Sequence, residues 1–132
     1  MTTGTAGTIA RLYQTEQVHY LVAPIVYTKL SNTIGKLPAG SCVIDAGIVV
    51  TTAFAGGTPQ TLDIGVTGDL EDFASDIVLT TIGVIKADAL ATATSSYATA
   101  DIDAVATLTA GATVSAGAGY AYVAYIMANR NA

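Results

Sequence analysis

Charged side chains are scarce in this sequence: 11% of its 132 residues are Asp, Glu, Lys or Arg, against roughly 25% in an ordinary soluble domain. Tryptophan is absent, and histidine and cysteine occur once each. Active sites and metal centres draw heavily on charged residues, histidine and cysteine. Their scarcity favours a protein that packs and binds over one that catalyses a reaction, and a single cysteine excludes an intrachain disulfide.

The few side chains that could act as nucleophiles or bases lack a catalytic context. His19 and Cys42 fall on different predicted strands, and no serine lies in a Gly-x-Ser-x-Gly motif. Cys42 has strand spacing with Ile44 and Ala46, which predicts a small buried hydrophobic side chain. We therefore predict no catalytic residue, no cofactor and no enzymatic activity.

The net charge of −5 is distributed unevenly along the chain. Residues 63–103 contain eight acidic residues and one lysine, whereas residues 1–62 sum to +1. Because no basic cluster can neutralise phosphates, we expect neither nucleic-acid binding nor attachment to anionic membranes. The sequence also lacks an apolar run of about 18 residues and a secretory signal pattern, so we expect no spanning helix and assembly in a cytoplasm.

A cluster of acidic residues occupies a stretch of fourteen positions. Its members are Asp63, Asp69, Glu71, Asp72 and Asp76. Carboxylate oxygens are good ligands for Ca²⁺, but the spacing is not that of an EF-hand loop. The favoured interpretation is a solvated loop in which Asp69 caps one helical turn over residues 69–75. We therefore assign no metal site here.

The residues that are present favour β-structure. The chain contains 20 Thr and 24 Ala, and residues 42–52 are almost entirely apolar, β-branched or glycine, a composition typical of a strand. A Gly-Gly-Thr-Pro turn follows, and residues 61–65 resume the alternation with Leu62 and Ile64 on one face. This pattern predicts a β-hairpin over residues 42–65.

Extended segments and turns also fill the regions on either side of this hairpin. Residues 17–30 suggest two extended pieces, with Pro24 marking a break or an edge position. Residues 31–40 contain Asn, Gly and Pro and predict a turn-rich connection. Residues 77–85 predict a strand that is interrupted at Gly83.

Two more strands are predicted near the C-terminus, at residues 102–109 and 120–127. About seven or eight short strands without a helical period predict an all-β fold. We expect an antiparallel β-sandwich with jelly-roll-like topology; a small barrel and a fibre-like β-fold are the alternatives.

The N-terminal segment differs from the rest of the chain. Residues 1–16 are rich in Thr, Gly and Ala and lack the apolar periodicity of a core segment. We predict an extended N-terminal arm over residues 1–16 and a single β-sandwich domain over residues 17–132. The arm is expected to contact a neighbouring subunit or a partner surface through Ile9, Leu12 and Tyr13.

Tyrosine dominates the aromatic residues, with seven Tyr, two Phe and no Trp. Tyrosine combines a large apolar ring with a polar tip, which suits subunit interfaces. On the last predicted strand, Tyr120 and Tyr122 share one face and Tyr125 lies on the other. We predict these three residues to lie in an interface or the core; a carbohydrate-stacking platform is the alternative.

Three short motifs occur in order along the middle of the chain. They are Leu37-Pro-Ala-Gly40 before a valine-rich strand, Thr51-Thr-Ala-Phe54 at a strand end, and Thr61-Leu-Asp-Ile-Gly65. Together with a glycine-rich turn and closing strand over residues 113–126, they resemble small proteins that decorate or cement the heads of tailed bacteriophages. The likeness covers roughly residues 37–127.

This resemblance implies a β-sandwich that binds the outside of a capsid as a homotrimer. Its partner would be the major capsid protein, and its location the virion surface after assembly in the host cytoplasm. Such a protein raises the resistance of the head to internal pressure. The alternative function is a jelly-roll module that binds a receptor or glycan on a phage head or fibre.

Overall fold

The computed structural model of the chain describes residues 18–89, 93 and 96–127. Eight β-strands and no helix occur in these residues, so none of them lies in a helix able to cross a membrane. The strands are β1 (His19–Val26), β2 (Ser31–Leu37), β3 (Ser41–Ala55), β4 (Gln60–Val66), β5 (Asp69–Val78), β6 (Gly83–Lys86), β7 (Ile102–Ala110) and β8 (Ala116–Met127).

The strands form two antiparallel four-stranded sheets. The front sheet has the order β1-β8-β3-β6, and the back sheet has the order β2-β7-β4-β5. Of the seven connections between these strands, only that between β4 and β5 stays within one sheet. This is the strand order of a jelly roll, in which eight strands fold as two Greek keys. The predicted all-β antiparallel sandwich is therefore confirmed.

The hydrophobic core lies between the two sheets. Ile48 and Val123 project into it from the front sheet, and Leu62, Ile64 and Phe73 from the back sheet; all five side chains are fully buried. Full burial of such a side chain is worth roughly 1.5–3 kcal/mol. Packing between the sheets therefore supplies the main stabilisation, and it leaves the outer faces of both sheets available for contacts with other molecules.

The predicted hairpin over residues 42–65 is wrong in its pairing, although both of its strands exist. β3 pairs with β6 and β8, whereas β4 pairs with β5 and β7 in the opposite sheet. Residues 56–59 therefore carry the chain from one sheet to the other. Glycine and proline specify a change of chain direction, but they do not specify which strands become neighbours.

Residues 31–37, predicted as part of a turn-rich connection, form strand β2. Asn32, Ile34 and Leu37 of this strand are buried. Gly35 lies at a shift in the β2–β7 register, where a Cβ atom would come within 2.9 Å of Cδ2 of Leu21. This glycine therefore permits close packing between the sheets instead of forming a turn.

The helical turn predicted over residues 69–75 is also wrong, because these residues belong to strand β5. Phe73, Ala74 and Ile77 are buried, and the strand pairs with β4 along the edge of the back sheet. One isolated helical turn gains few hydrogen bonds for the residues it orders, whereas an edge strand gains a ladder of bonds. Asp69 begins this strand and caps no helix.

The edge strands β1, β5 and β6 test two further predictions. Pro24 lies within β1 at the edge of the front sheet, so its predicted edge position is confirmed, and β1 continues through it without a break. The single strand predicted over residues 77–85 is instead two strands in different sheets. β5 ends at Val78, and β6 begins at Gly83, whose φ of 140° lies outside the range that L-residues prefer.

Candidate functional site

The outer face of the front sheet is apolar and aromatic. On β1, Ala23 and Ile25 are buried in the core while Tyr20 and Val22 point outward, with 64% and 55% of their surface exposed. Strand alternation thus places every second residue of β1 in solvent. Exposure of aromatic and aliphatic side chains to water is unfavourable. Their concentration on one face therefore marks a candidate binding surface.

Tyr120 and Tyr122 extend this surface across β8. The register places Val22 of β1 opposite Tyr122, and Val49 of β3 opposite Tyr120. Val49 in turn lies opposite Val84 of β6. With Pro24 of β1 opposite Tyr120, this second row crosses all four strands of the front sheet, and cross-strand neighbours of this kind contact each other directly.

A shallow groove of about 370 Å³ lies on this face and is lined by side chains from all four strands. Gly47 lies opposite Tyr122 on one side and Lys86 on the other. A Cβ atom on Gly47 would come within 3.0 Å of Tyr122 Oη and would overlap the carbonyl oxygen of Ile85. The groove therefore depends on glycine at position 47, because any side chain there would collide with its neighbours.

One ion pair lies in this otherwise apolar groove. Lys86 Nζ donates to Asp45 Oδ2 at 2.6 Å and lies 5.5 Å from the centre of the Tyr122 ring. The second carboxylate oxygen, Oδ1, accepts the backbone N–H of Ala46 at 2.9 Å. The hydrogen bond to Asp45, with a smaller contribution from Tyr122, raises the pKa of Lys86 above its ordinary value. Lys86 therefore stays protonated, and the face carries no net charge.

A β-bulge precedes Asp45 on β3. The β3–β8 register shifts between Val43 and Asp45, so that Ile44 is left exposed without a partner on β8. Val43 and Ala46 both remain buried on either side of the bulge. The same shift explains why Cys42, predicted to be buried because it shares strand spacing with Ala46, is only half-buried.

The outer face of the back sheet has the opposite chemistry. Ser31, Thr107 and Asp63 form one row across β2, β7 and β4. Lys36 on β2 forms an ion pair with Asp103 on β7 at 3.0 Å. Apart from the exposed Val78 on the edge strand β5, short hydroxyl and carboxylate side chains predominate on this face. The two outer faces of the sandwich therefore differ: one is aromatic and neutral, the other largely polar and acidic.

The acidic cluster lies on β4 and β5 of the back sheet. Asp63 Oδ1 accepts the backbone N–H of Asp76 at 2.7 Å. Burial raises the pKa of the Asp63 carboxyl, the hydrogen bond from Asp76 lowers it, and the charges of Glu71 and Asp76 raise it. Within the described residues, no three His, Cys, Asp or Glu side chains are grouped to hold a metal ion.

The tyrosines of the last strand occupy both of its faces, as the alternation predicts. Tyr120 and Tyr122 line the groove, whereas Tyr125 packs against the core and stacks on His19, with ring centroids 5.3 Å apart. The other predicted interface residues, Ile9, Leu12 and Tyr13, lie outside the described residues. An interface role for all six residues remains a prediction.

The front face contains residues that were not predicted as parts of a site. The alternation of residues 18–26 is a usable signal for Tyr20 and Val22. No such signal exists for Asp45 and Lys86, which are 41 residues apart in sequence and meet only because β3 pairs with β6.

Comparisons with known proteins identify related folds but no sequence family. No protein-family model matches the chain, and no curated protein matches it. Three solved structures resemble it over most of its length, and all are bacteriophage capsids. A chain of the cyanophage Pam1 capsid asymmetric unit has 15% sequence identity and a TM-score of 0.65, and the match covers 85% of this chain and 86% of that one.

Two further chains give a similar result. In the capsid of Ralstonia phage GP4, the matching chain has 19% identity and a TM-score of 0.63, with 85% of this chain and 83% of that one covered. In the acidic stable capsid structure of Helicobacter pylori bacteriophage KHP30, the matching chain has 13% identity and a TM-score of 0.61, and the match covers 86% of this chain and 91% of that one. At these identities, the likeness establishes a shared fold: this chain has a jelly roll that is also found in phage capsids.

Proposed function

We propose that this chain is a non-enzymatic structural protein of a phage virion, which binds the outside of the capsid as a homo-oligomer and stabilises it. The observation that carries the proposal is the fold match to chains in three phage capsids, each match covering more than four-fifths of both chains. The sequence resemblance to head decoration proteins independently points in the same direction.

The surface chemistry supports a role in assembly. The front face presents exposed tyrosine and valine side chains with a single, internally neutralised ion pair. The back face presents hydroxyl groups and carboxylates. Two chemically different faces allow a subunit to contact copies of itself with one surface and a different protein with another.

The proposed partner is the major capsid protein, and the proposed oligomer is a trimer on the virion surface. The mechanism is passive. Each contact of about 1,000 Å² or more is repeated by symmetry, so several contacts must break before one oligomer detaches. Capsid subunits held together from outside would then separate less readily under internal pressure.

A receptor- or glycan-binding module is the second candidate. The groove of about 370 Å³ beside Tyr20, Tyr120 and Tyr122 favours it, because aromatic rings stack on sugars. However, Asp45 and Lys86, the charged groups of the groove, already bind each other. Glycan-array screening of the purified chain separates the two candidates, since the structural role predicts no selective glycan binding.

Head binding tests the primary proposal directly. Expanded heads of the phage that encodes the chain would be prepared without it and incubated with the purified protein. We expect the protein to co-sediment with the heads in a saturable stoichiometry and to raise the temperature at which they rupture. Absence of the protein from purified virions by mass spectrometry, together with no co-sedimentation, would overturn the proposal.

A further inference from the structure

We propose that the outer face of the front sheet is the surface through which copies of this chain associate with each other. This inference rests on the proposed function and deepens it, because it assigns the self-association of the oligomer to one of the two outer faces. The occupant is a second copy of the chain, which contributes a different part of its own front face, so that three copies close around one axis.

The charge distribution favours a second copy on this face. Each copy has a net charge of −5, and the acidic cluster lies on β4 and β5 of the back sheet. Two copies that approached through β4 and β5 would bring carboxylates against carboxylates. On the front face, Asp45 and Lys86 neutralise each other at 2.6 Å, so two such faces meet without repulsion between like charges.

The exposed apolar area is consistent with such an interface. A tyrosine side chain can bury roughly 150–250 Å² of surface. Tyr20 and Tyr120 expose 64% and 50% of their surfaces. Val22 and Val84 are each more than half exposed on the same face. These side chains thus present a few hundred Å² of apolar surface, comparable with the largest patch on a typical monomer. The neighbouring side chains of the face would supply the rest of the ~800 Å² per partner of a standard interface.

The ion pair adds selectivity to this apolar face. Burial of one unpaired charge would oppose association strongly, whereas Asp45 and Lys86 enter the interface already paired. Lys86 also lies near the Tyr122 ring, at 5.5 Å from its centre. A partner with a net charge gains nothing from this neutral pair, so the face favours another neutral apolar surface over the charged surface of a different protein.

A matched pair of substitutions tests the inference. Val84 on β6 and Val78 on β5 are edge-strand valines with similar exposure, 61% and 58%, on the outer faces of opposite sheets. Val84→Glu places a carboxylate in the proposed interface of every copy, and Val78→Glu places the same group on the back sheet. Circular dichroism melting would confirm that both variants of the full chain remain folded.

Sedimentation velocity across micromolar concentrations measures the association. We expect the natural chain and Val78→Glu to sediment with a mass that is the same multiple of 13.3 kDa. Val84→Glu should associate about tenfold more weakly or not at all, and Val84→Ile should associate like the natural chain. Equal association of the two glutamate variants, or a natural chain that stays monomeric, would overturn the inference.

Co-sedimentation of the same proteins with expanded heads separates this inference from the proposed function. If both glutamate variants associate like the natural chain and Val84→Glu alone loses head binding, the front face docks on the shell: the inference fails and the proposed function stands. If Val84→Glu alone loses self-association and no form of the chain binds heads, the inference stands and the proposed function fails.

Discussion

The ring of Phe54 occupies the space that a side chain at position 117 would need. Phe54 is buried at the end of β3, and Gly117 lies beside it on β8 with a φ of 148°. A Cβ atom on Gly117 would lie only 2.7 Å from Cε2 of the ring, and closer still to two other ring atoms. Glycine at position 117 therefore lets a large aromatic side chain close one end of the core.

Gly117→Ala should destabilise the fold through two additive effects. Overpacking against a buried side chain costs about 1–3 kcal/mol, and the backbone conformation at Gly117 adds strain for any L-residue. We expect the free energy of unfolding, measured by urea denaturation, to fall by about 2 kcal/mol or more.

Gly68→Ala is the matched control for this substitution. Gly68 also has a positive φ, 97°, but a Cβ atom there would meet nothing within 4 Å. Backbone strain alone should therefore lower the free energy of unfolding of Gly68→Ala, by about 1 kcal/mol. Leucine is smaller than phenylalanine, so Phe54→Leu should reduce the loss of stability caused by Gly117→Ala when the two substitutions are combined. Equal losses for the two alanine variants, or no relief in the double variant, would contradict the steric explanation.

Asp76 has a left-handed backbone conformation, with φ of 56°, in β5. Asparagine and glycine tolerate this conformation, whereas residues with larger or branched Cβ substituents do so at a cost of about 1–2 kcal/mol. We expect Asp76→Gly and Asp76→Asn to preserve stability in thermal melts and Asp76→Val to reduce it by about that amount. Equal stability of all three variants would show that the residue carries no strain.

Asp69→Ala distinguishes the observed strand from the predicted helical turn. A helix N-cap loses about 1 kcal/mol on substitution by alanine. Asp69 instead lies exposed at the start of β5, where substitutions usually change stability by less than about 0.5 kcal/mol. We expect the smaller effect in urea denaturation, and a loss near 1 kcal/mol would favour the cap.

Alternation of side chains predicts the strands better than it predicts their partners. It identifies β7, β8 and most of β3, because each has one buried and one outer face. It does not reveal that β3 and β4 belong to opposite sheets, since pairing depends on the fold as a whole. In the same way it places Tyr120 and Tyr122 on one face but does not reveal the Asp45–Lys86 pair, which requires the pairing of β3 with β6.

Ser41 is fully buried, and its Oγ has no hydrogen-bond partner among the described residues. A buried hydroxyl without a partner costs free energy, and its removal leaves a space smaller than one methyl group. We expect Ser41→Ala to leave the free energy of unfolding unchanged or raise it by up to about 1 kcal/mol. The free energy of unfolding of Ser41→Ala is compared with that of Ser75→Ala, which removes an exposed hydrogen bond of 2.8 Å to Glu71. A loss above 1 kcal/mol for Ser41→Ala would show that its hydroxyl is bonded.

Asp63 couples stability to pH, because burial raises the pKa of its carboxyl in the folded protein. Over the pH range that begins near the ordinary aspartate pKa and extends upward through the raised one, the folded state binds more protons than the unfolded state. The free energy of unfolding contributed by this group therefore increases as pH falls through that range and decreases as pH rises.

Asp63→Asn should remove this contribution while its side-chain oxygen still accepts the N–H of Asp76. We expect the variant to be at least as stable as the natural chain at neutral pH, and the difference to vanish below about pH 3, where the aspartate is protonated in both states. Urea denaturation across this pH range measures the difference. A variant less stable than the natural chain at neutral pH would show instead that the ionised carboxylate stabilises β5 more through its bond to Asp76 than its burial costs.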